Sequence, residues 1–191
     1  MAWDAIILAG GRSQRLGGVD KPTVTIGATT LLDRTVSAVT GAERIVIAGD
    51  AKVDGCVSAI EPEPFGGPVS GIAAALPHTS ADRILVVACD HPFIDRAVSS
   101  LVNATPGPDG VVGVDQSGQR QNLLACLSRM SLAEALASLE SPTGVSMRQL
   151  LGTLDVREIV VDDRAAFDVD TWDDVARGRE LDESEVAEQH D

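Results

Sequence analysis

Residues 7–22, "ILAGGRSQRLGGVDKP", decide how this chain is read. An apolar strand runs directly into a segment holding four glycines, two arginines, an aspartate and a lysine. Gly10 and Gly11 follow the strand, where a backbone must turn and can present N–H groups to something close. Gly17 and Gly18 form a second flexible pair, and Arg12, Arg15 and Lys21 place three cations on the same segment. In a chain of net charge −14, with Lys52 as the only other lysine, that concentration is local and suits a polyphosphate. Two common phosphate motifs are absent. A P-loop ends G-K-[ST], whereas Lys21 follows Val19-Asp20 and precedes proline; and the G-x-G-x-x-G spacing of a dinucleotide fold does not follow the strand. Flexible glycines with solvated arginines remain the plainer reading of the glycines alone.

Working outward, short apolar runs alternate with helical patterns. Residues 5–10, 44–49, 83–89, 110–114, 122–127 and 157–161 read as strands, several continuously apolar as in parallel strands covered on both faces. Residues 30–40, 69–77, 95–104, 131–140, 146–154 and 171–180 read as helices. Pro68 suits a first helical turn. Ser131 with Glu134, and Thr171 with Asp174, have the spacing of start signals. Alternation of this kind predicts a doubly wound α/β layer with ligands at the carboxyl ends of its strands. The consecutive strands between 110 and 127 predict an antiparallel pair, hence a mixed sheet. Residues 1–180 read as one domain, and 181–191 as an acidic tail that is a solvated helix end or frays.

Composition bounds the rest. The chain has 191 residues, 44% hydrophobic and 23% charged, as in a globular domain able to bury a sizeable core. Its acidity argues against broad nucleic-acid binding, which needs an extended basic surface. No apolar run approaches the ~18 residues of a membrane span. Cys56, Cys89 and Cys126 are odd in number and far apart, which fits reduced thiols and a cytoplasmic location.

The stretch "LAGGRSQRLGGVDKP" resembles the signature of small nucleotidyltransferases, and its "GGVDK" ending is similar to the molybdenum cofactor guanylyltransferase (MobA-like) branch. Four further segments resemble the family in order along the chain: "GGPVSGIAAAL" (66–76), "VVACDHPF" (86–93), "QNLLACLSR" (121–129) and "AFDVDTWDDVARG" (166–178). The resemblance implies a Rossmann-like three-layer sandwich of the GT-A-like type. It implies Mg²⁺-dependent transfer of GMP from GTP to a molybdopterin-type acceptor, with passing contacts to other cofactor-biosynthesis proteins. Leu8, Ala9, Gly10 and Gly11 would contact the nucleotide, Lys21 and Arg15 its phosphates, and Asp90 would hold Mg²⁺. The chain departs from the family pattern at Ala48, where asparagine is frequent. It has Glu61 or Glu63 in place of an aspartate, Asp168 and Asp170 in place of asparagines, and Trp172 in place of proline. The first two departures keep a CTP-using transferase, or one with another acceptor, as the alternative. A nucleotide-binding module without turnover is a third reading, against which the joint presence of Lys21 and Asp90 counts.

Asp90 also has an independent reading. It ends the most apolar strand, "ILVVACD", so its carboxylate is in a cleft, paired, metal-bound or capping the next helix. A single aspartate with a triphosphate suffices for Mg²⁺, and Asp168 or Asp170 is a candidate second carboxylate. The "CDH" triplet (89–91) lacks a second cluster at zinc-ligand spacing; Cys89 reads as a buried strand residue and His91 as a loop residue near the site.

Overall fold

A computed structural model of the protein describes residues 1–10 and 16–188. Seven strands form one sheet: β1 (Asp4–Leu8), β4 (Ile45–Ala48), β5 (Val57–Ala59), β6 (Arg83–Ala88), β7 (Gly110–Val114), β8 (Arg120–Ser128) and β9 (Val156–Val160). Their order is β5-β4-β1-β6-β8-β7-β9. β8 pairs antiparallel with both β6 and β7, and the remaining pairings are parallel, so the expected mixed sheet forms. A two-stranded hairpin, β2 (Thr25–Ile26) with β3 (Thr29–Thr30), lies apart from it.

Side-chain alternation sorts the sheet into two faces. Ile6, Leu8, Val46, Ile84 and Val86 point to one core, against α2 (Pro68–Ala75), α4 (Arg129–Ala137) and α5 (Met147–Leu151). Ala5, Ile7, Ile47, Leu85 and Val87 point to the other, against α1 (Leu31–Ala38) and α3 (Asp95–Asn103). Both faces being covered explains why these strands read as unbroken apolar runs. The result is three layers. A third, smaller cluster joins Val24, Ile26 and Leu31 to Val169 and Val175, seating α6 (Trp172–Glu188) on the hairpin.

The chain moves from β1 outward through β4 to β5, then returns to lay β6 on the other side of β1. Such a reversal leaves a crevice at the carboxyl ends of the two strands. The glycine segment leaves β1 there, and Asp90 follows β6 at the same edge.

Some expectations shift. α4 begins two residues early because Ser128, not Ser131, is its cap: the Ser128 hydroxyl accepts the Ser131 N–H, while the Arg129 N–H donates to Asp82 O and forces the turn. Ser131 therefore sits inside the helix and its spacing to Glu134 caps nothing. The capping box lies instead at Ser146–Gln149, where each residue's side chain accepts the other's N–H. Thr171 and Asp174 do form the reciprocal pair expected of them. The boundary drawn at 180 falls inside α6, because Asp182 pairs with Arg34 of α1 and the helix continues past it. β5 and the hairpin were not anticipated; three and two residues are too short to carry a period. No helix among the described residues is long and apolar enough to cross a membrane.

Candidate active site

Lys21 opens a single turn of 3-10 helix, Lys21–Thr23, fixed by Pro22 and by two bonds from Thr23 to Asp20 O. Upstream, Gly17 and Gly18 have φ of 72° and 81°, a region that other residues enter only at a cost. That path brings the Lys21 ammonium back over the tip of β6. Nζ donates to Asp90 Oδ2 at 2.8 Å and to Asp170 Oδ1 at 2.6 Å. Residues 69 and 149 positions apart from Lys21 thus meet on one atom. The expected pairing of Lys21 with Asp90 at one site is what the fold builds. Burial alone would lower the ammonium's pKa, but the charge of Asp90 and the bonds to Asp170 and Asp90 outweigh it and hold it above the usual lysine value. Lys21 therefore stays charged throughout the neutral range.

Of the two candidate second carboxylates, Asp170 reaches Lys21, whereas Asp168 is exposed on the wall of a neighbouring pocket. The segment before α6 is held against the strand tip by its backbone. The Val169 N–H donates to Asp90 O at 3.0 Å, and Ala165 O lies 3.1 Å from His91 Nδ1. His91 is therefore no loose loop residue; it is 6% exposed. Its ring faces Asp90, with Nε2 3.7 Å from Oδ1.

Asp90 has a divided environment. Oδ2 is taken by Lys21, while Oδ1 is buried and has no hydrogen-bond partner among the described residues. A buried anionic oxygen without a donor is costly, and a hard divalent cation would satisfy it. Among the described residues no group of three His, Cys, Asp or Glu is arranged to hold a metal, which leaves positions for substrate oxygens and water in the shell of an ion at Asp90. That is the usual coordination of Mg²⁺ beside a nucleotide. The zinc reading of "CDH" fails: Cys89 is buried in the sheet face, and burial pushes its thiol pKa far up, against thiolate ligation.

On the other side of β1, the tips of β1 and β4 are locked together. The Ala9 N–H donates to Ala48 O, while the Cys89 N–H donates to Leu8 O and ties the tip of β6 to β1 in the same way. The Leu8 and Ala9 side chains are buried, and Gly10 is the exposed member of the three. Gly11 and Arg15, with Arg12, lie outside the described residues. Ala48 is 5% exposed and packs beneath α2. A side chain at Gly71 would come within 3.3 Å of both Ala48 and Leu8, so the last glycine of "GGPVSG" lets the helix settle onto these strand tips. Glu61 Oε1 accepts the Phe65 N–H, while Oε2 is buried with no partner among the described residues. Phe65 itself has φ of 65°, a left-handed conformation uncommon for a bulky residue.

Beyond His91 opens a pocket of about 720 Å³ whose walls include Asp115, Asn122, Arg164, Phe167, Asp168 and Arg177. It sits at the same sheet edge, over β8 and the end of β7. Asn122 Oδ1 is buried there without a partner among the described residues. Asp90 and His91 thus stand between the crevice at the β1–β6 tips and a separate polar pocket.

Comparison with known proteins agrees with this geometry. Residues 5–158 match the family model described as the MobA-like NTP transferase domain. A molybdenum cofactor guanylyltransferase of Shewanella sp. (strain MR-4) is 32% identical over 143 residues, 71% of this chain and 73% of the relative. The crystal structure of a homologue of Mycobacterium tuberculosis Rv0371c, from Mycobacterium sp. strain JC1, superposes with a TM-score of 0.72 at 27% identity. That match covers 94% of this chain and 98% of the other. The molybdopterin-guanine dinucleotide biosynthesis protein A of Archaeoglobus fulgidus shares the fold, with a TM-score of 0.65 at 17% identity over 95% and 99% of the two chains. Nucleotidyltransferases of this type generally use a divalent metal, and Asp90 is the residue here that fits one. With the signature segment, the reversal point and the Lys21–Asp90 pair all falling within the matched region, the chain belongs to the MobA-like NTP transferase family of nucleotidyltransferases.

Proposed function

We propose that this protein transfers GMP from Mg·GTP to the phosphate of a molybdopterin-type acceptor, releasing pyrophosphate. The carrying observation is the 2.8 Å contact between Lys21 Nζ and Asp90 Oδ2, which puts a phosphate-binding cation and a metal-binding carboxylate on one ligand. The name of the Shewanella relative supports the choice of guanylyl donor and acceptor.

Gly10 offers its backbone to the triphosphate at the tip of β1, and Gly11 and Arg15, outside the described residues, are assigned to the phosphates on the family resemblance alone. Lys21 moves from the two carboxylates onto the nucleotide's phosphates, exchanging Asp90 and Asp170 for the charge that develops on departing pyrophosphate. Asp90 would hold a divalent metal through Oδ1, the oxygen that Lys21 leaves free, and the charge supplied there would screen the two phosphate groups that must approach each other. On the far side, Arg164 and Arg177 supply charge for the acceptor phosphate, and Asn122 Oδ1 accepts from pterin N–H groups. Placement of both substrates around one aspartate accounts for catalysis by positioning, with no covalent step on the protein. Free thiols at Cys56, Cys89 and Cys126 support a cytoplasmic location, where the protein would be in passing contact with the proteins that supply and receive the cofactor.

Pyrophosphate release measured with each of the four NTPs, Mg²⁺ and molybdopterin tests this. GTP is expected to exceed the others by at least tenfold. Faster release with CTP would favour the cytidylyl alternative, which Ala48 keeps open because its methyl group offers a nucleotide no hydrogen bond. No release with any NTP would overturn the transferase reading.

A further inference from the structure

His91 is buried, polar and unused by the steps above. Its Nδ1 lies 3.1 Å from Ala165 O, and a carbonyl oxygen only accepts, so Nδ1 carries the proton. In the neutral ring, Nε2 then presents its lone pair towards Asp90 Oδ1, the oxygen left without a partner. At 3.7 Å the two atoms are too far apart for a hydrogen bond. A metal-ligating histidine characteristically donates its other ring N–H to a carbonyl or carboxylate, which fixes its tautomer and aim. Two donors about 2.1 Å from one ion lie roughly 3.0–3.5 Å apart. A shift of a few tenths of an ångström would therefore close this pair on a cation.

We propose that His91 Nε2 is a second protein ligand of the metal at Asp90, making a mixed nitrogen–oxygen site that prefers a transition-metal divalent ion such as Mn²⁺ to Mg²⁺. The inference rests on the reading of Asp90 as the metal carboxylate. Lys21 does not compete for the position, since it occupies Oδ2. Imidazole raises affinity along the first-row series far more than for magnesium, which favours oxygen ligands.

The test uses Mn²⁺ and GTP without acceptor on the full chain, read by electron spin echo envelope modulation and by Mn²⁺ titration. The wild type is expected to show a directly bound ¹⁴N coupling. His91→Asn retains an N–H for Ala165 O but has nothing in place of Nε2. It should lose the coupling and weaken Mn²⁺ binding about tenfold, while Mg²⁺ binding changes less than threefold. His91→Gln, which returns a donor atom near Nε2, should recover part of the affinity without the imidazole signal. Mn²⁺ bound in an Asp90-dependent way with no nitrogen coupling would overturn the role of His91 alone. Asp90→Asn binding Mn²⁺ and GTP like the wild type would overturn the placement of the metal, and this inference with it.

Discussion

Two aspartates stand at opposite edges of the central strands; each keeps one buried oxygen without a partner among the described residues, and their other oxygens are satisfied in opposite ways. Asp4 begins β1, is 0% exposed, and its Oδ2 accepts the backbone N–H groups of Ser80 (2.6 Å) and Ala81 (2.9 Å). Asp90 follows β6, is partly open, and its Oδ2 accepts from a lysine side chain. Backbone donors cannot leave, so Asp4 is a fixed joint between β1 and the turn that enters β6. A lysine on a flexible stem can leave, so Asp90 is a joint that a ligand can open. One sheet thus uses the same residue type for a fixed joint at its amino edge and, in the function proposed above, for chemistry at its carboxyl edge.

The sharpest way to break that contrast is to remove each carboxylate and compare stability with turnover. Asp90→Asn and Lys21→Ala should each lower kcat/KM for pyrophosphate release by about 10²–10³, with circular dichroism unchanged. Normal turnover in either would end its assignment to the site. Asp4→Ala should do the reverse, costing about 3 kcal/mol in denaturant unfolding because two buried N–H groups lose a charged acceptor. Its kcat at a temperature where it remains folded should stay within a few-fold of wild type. Asp170→Asn sharpens the contrast within the site: exposed on one side, its pair with Lys21 is worth up to about 1 kcal/mol. Turnover should therefore fall by no more than about fivefold. A loss as large as that of Asp90→Asn would make Asp170 a metal ligand.

Smallest is the cap of α6. Thr171→Ala should lower stability by about 1 kcal/mol. Hydrogen bonds from Thr171 hold the Asp174 carboxyl below its ordinary value. A depressed folded pKa means the stabilisation is present above the unfolded value near 3.9 and fades as pH falls through the lower one. The stability gap between wild type and Asp174→Asn should therefore be constant from neutrality down to about pH 4 and narrow below it.

Much of this was legible in the sequence. Unbroken apolar runs declare strands covered on both faces, and the glycine pairs flanking a cationic segment declare a turn that must return to the sheet edge. The family resemblance places Lys21 and Asp90 on one ligand, and the alternation of strands and helices agrees with it by putting ligands at the carboxyl ends of strands. The choice between Asp168 and Asp170 was not legible, since it depends on one long-range bond, Val169 N–H to Asp90 O, that fixes which way the segment faces. His91 is the loop residue near the site that the sequence predicts, but burial of its ring was not legible, because it is decided by Ala165, 74 positions away. Its one local signal was its place directly after an aspartate at a strand tip. The capping of α4 moved for the same kind of reason: a contact from Asp82, across the sheet, outranked a local spacing.

The strap between Ala165 and Asp170 gives the protein an order of assembly. The central strands β4, β1 and β6 can pair as soon as residue 88 has left the ribosome, but Asp90, His91 and Lys21 acquire their remaining partners only when residues 165–170 arrive. A nascent chain therefore owns the central strands well before residues 165–170 complete the surroundings of Lys21, Asp90 and His91.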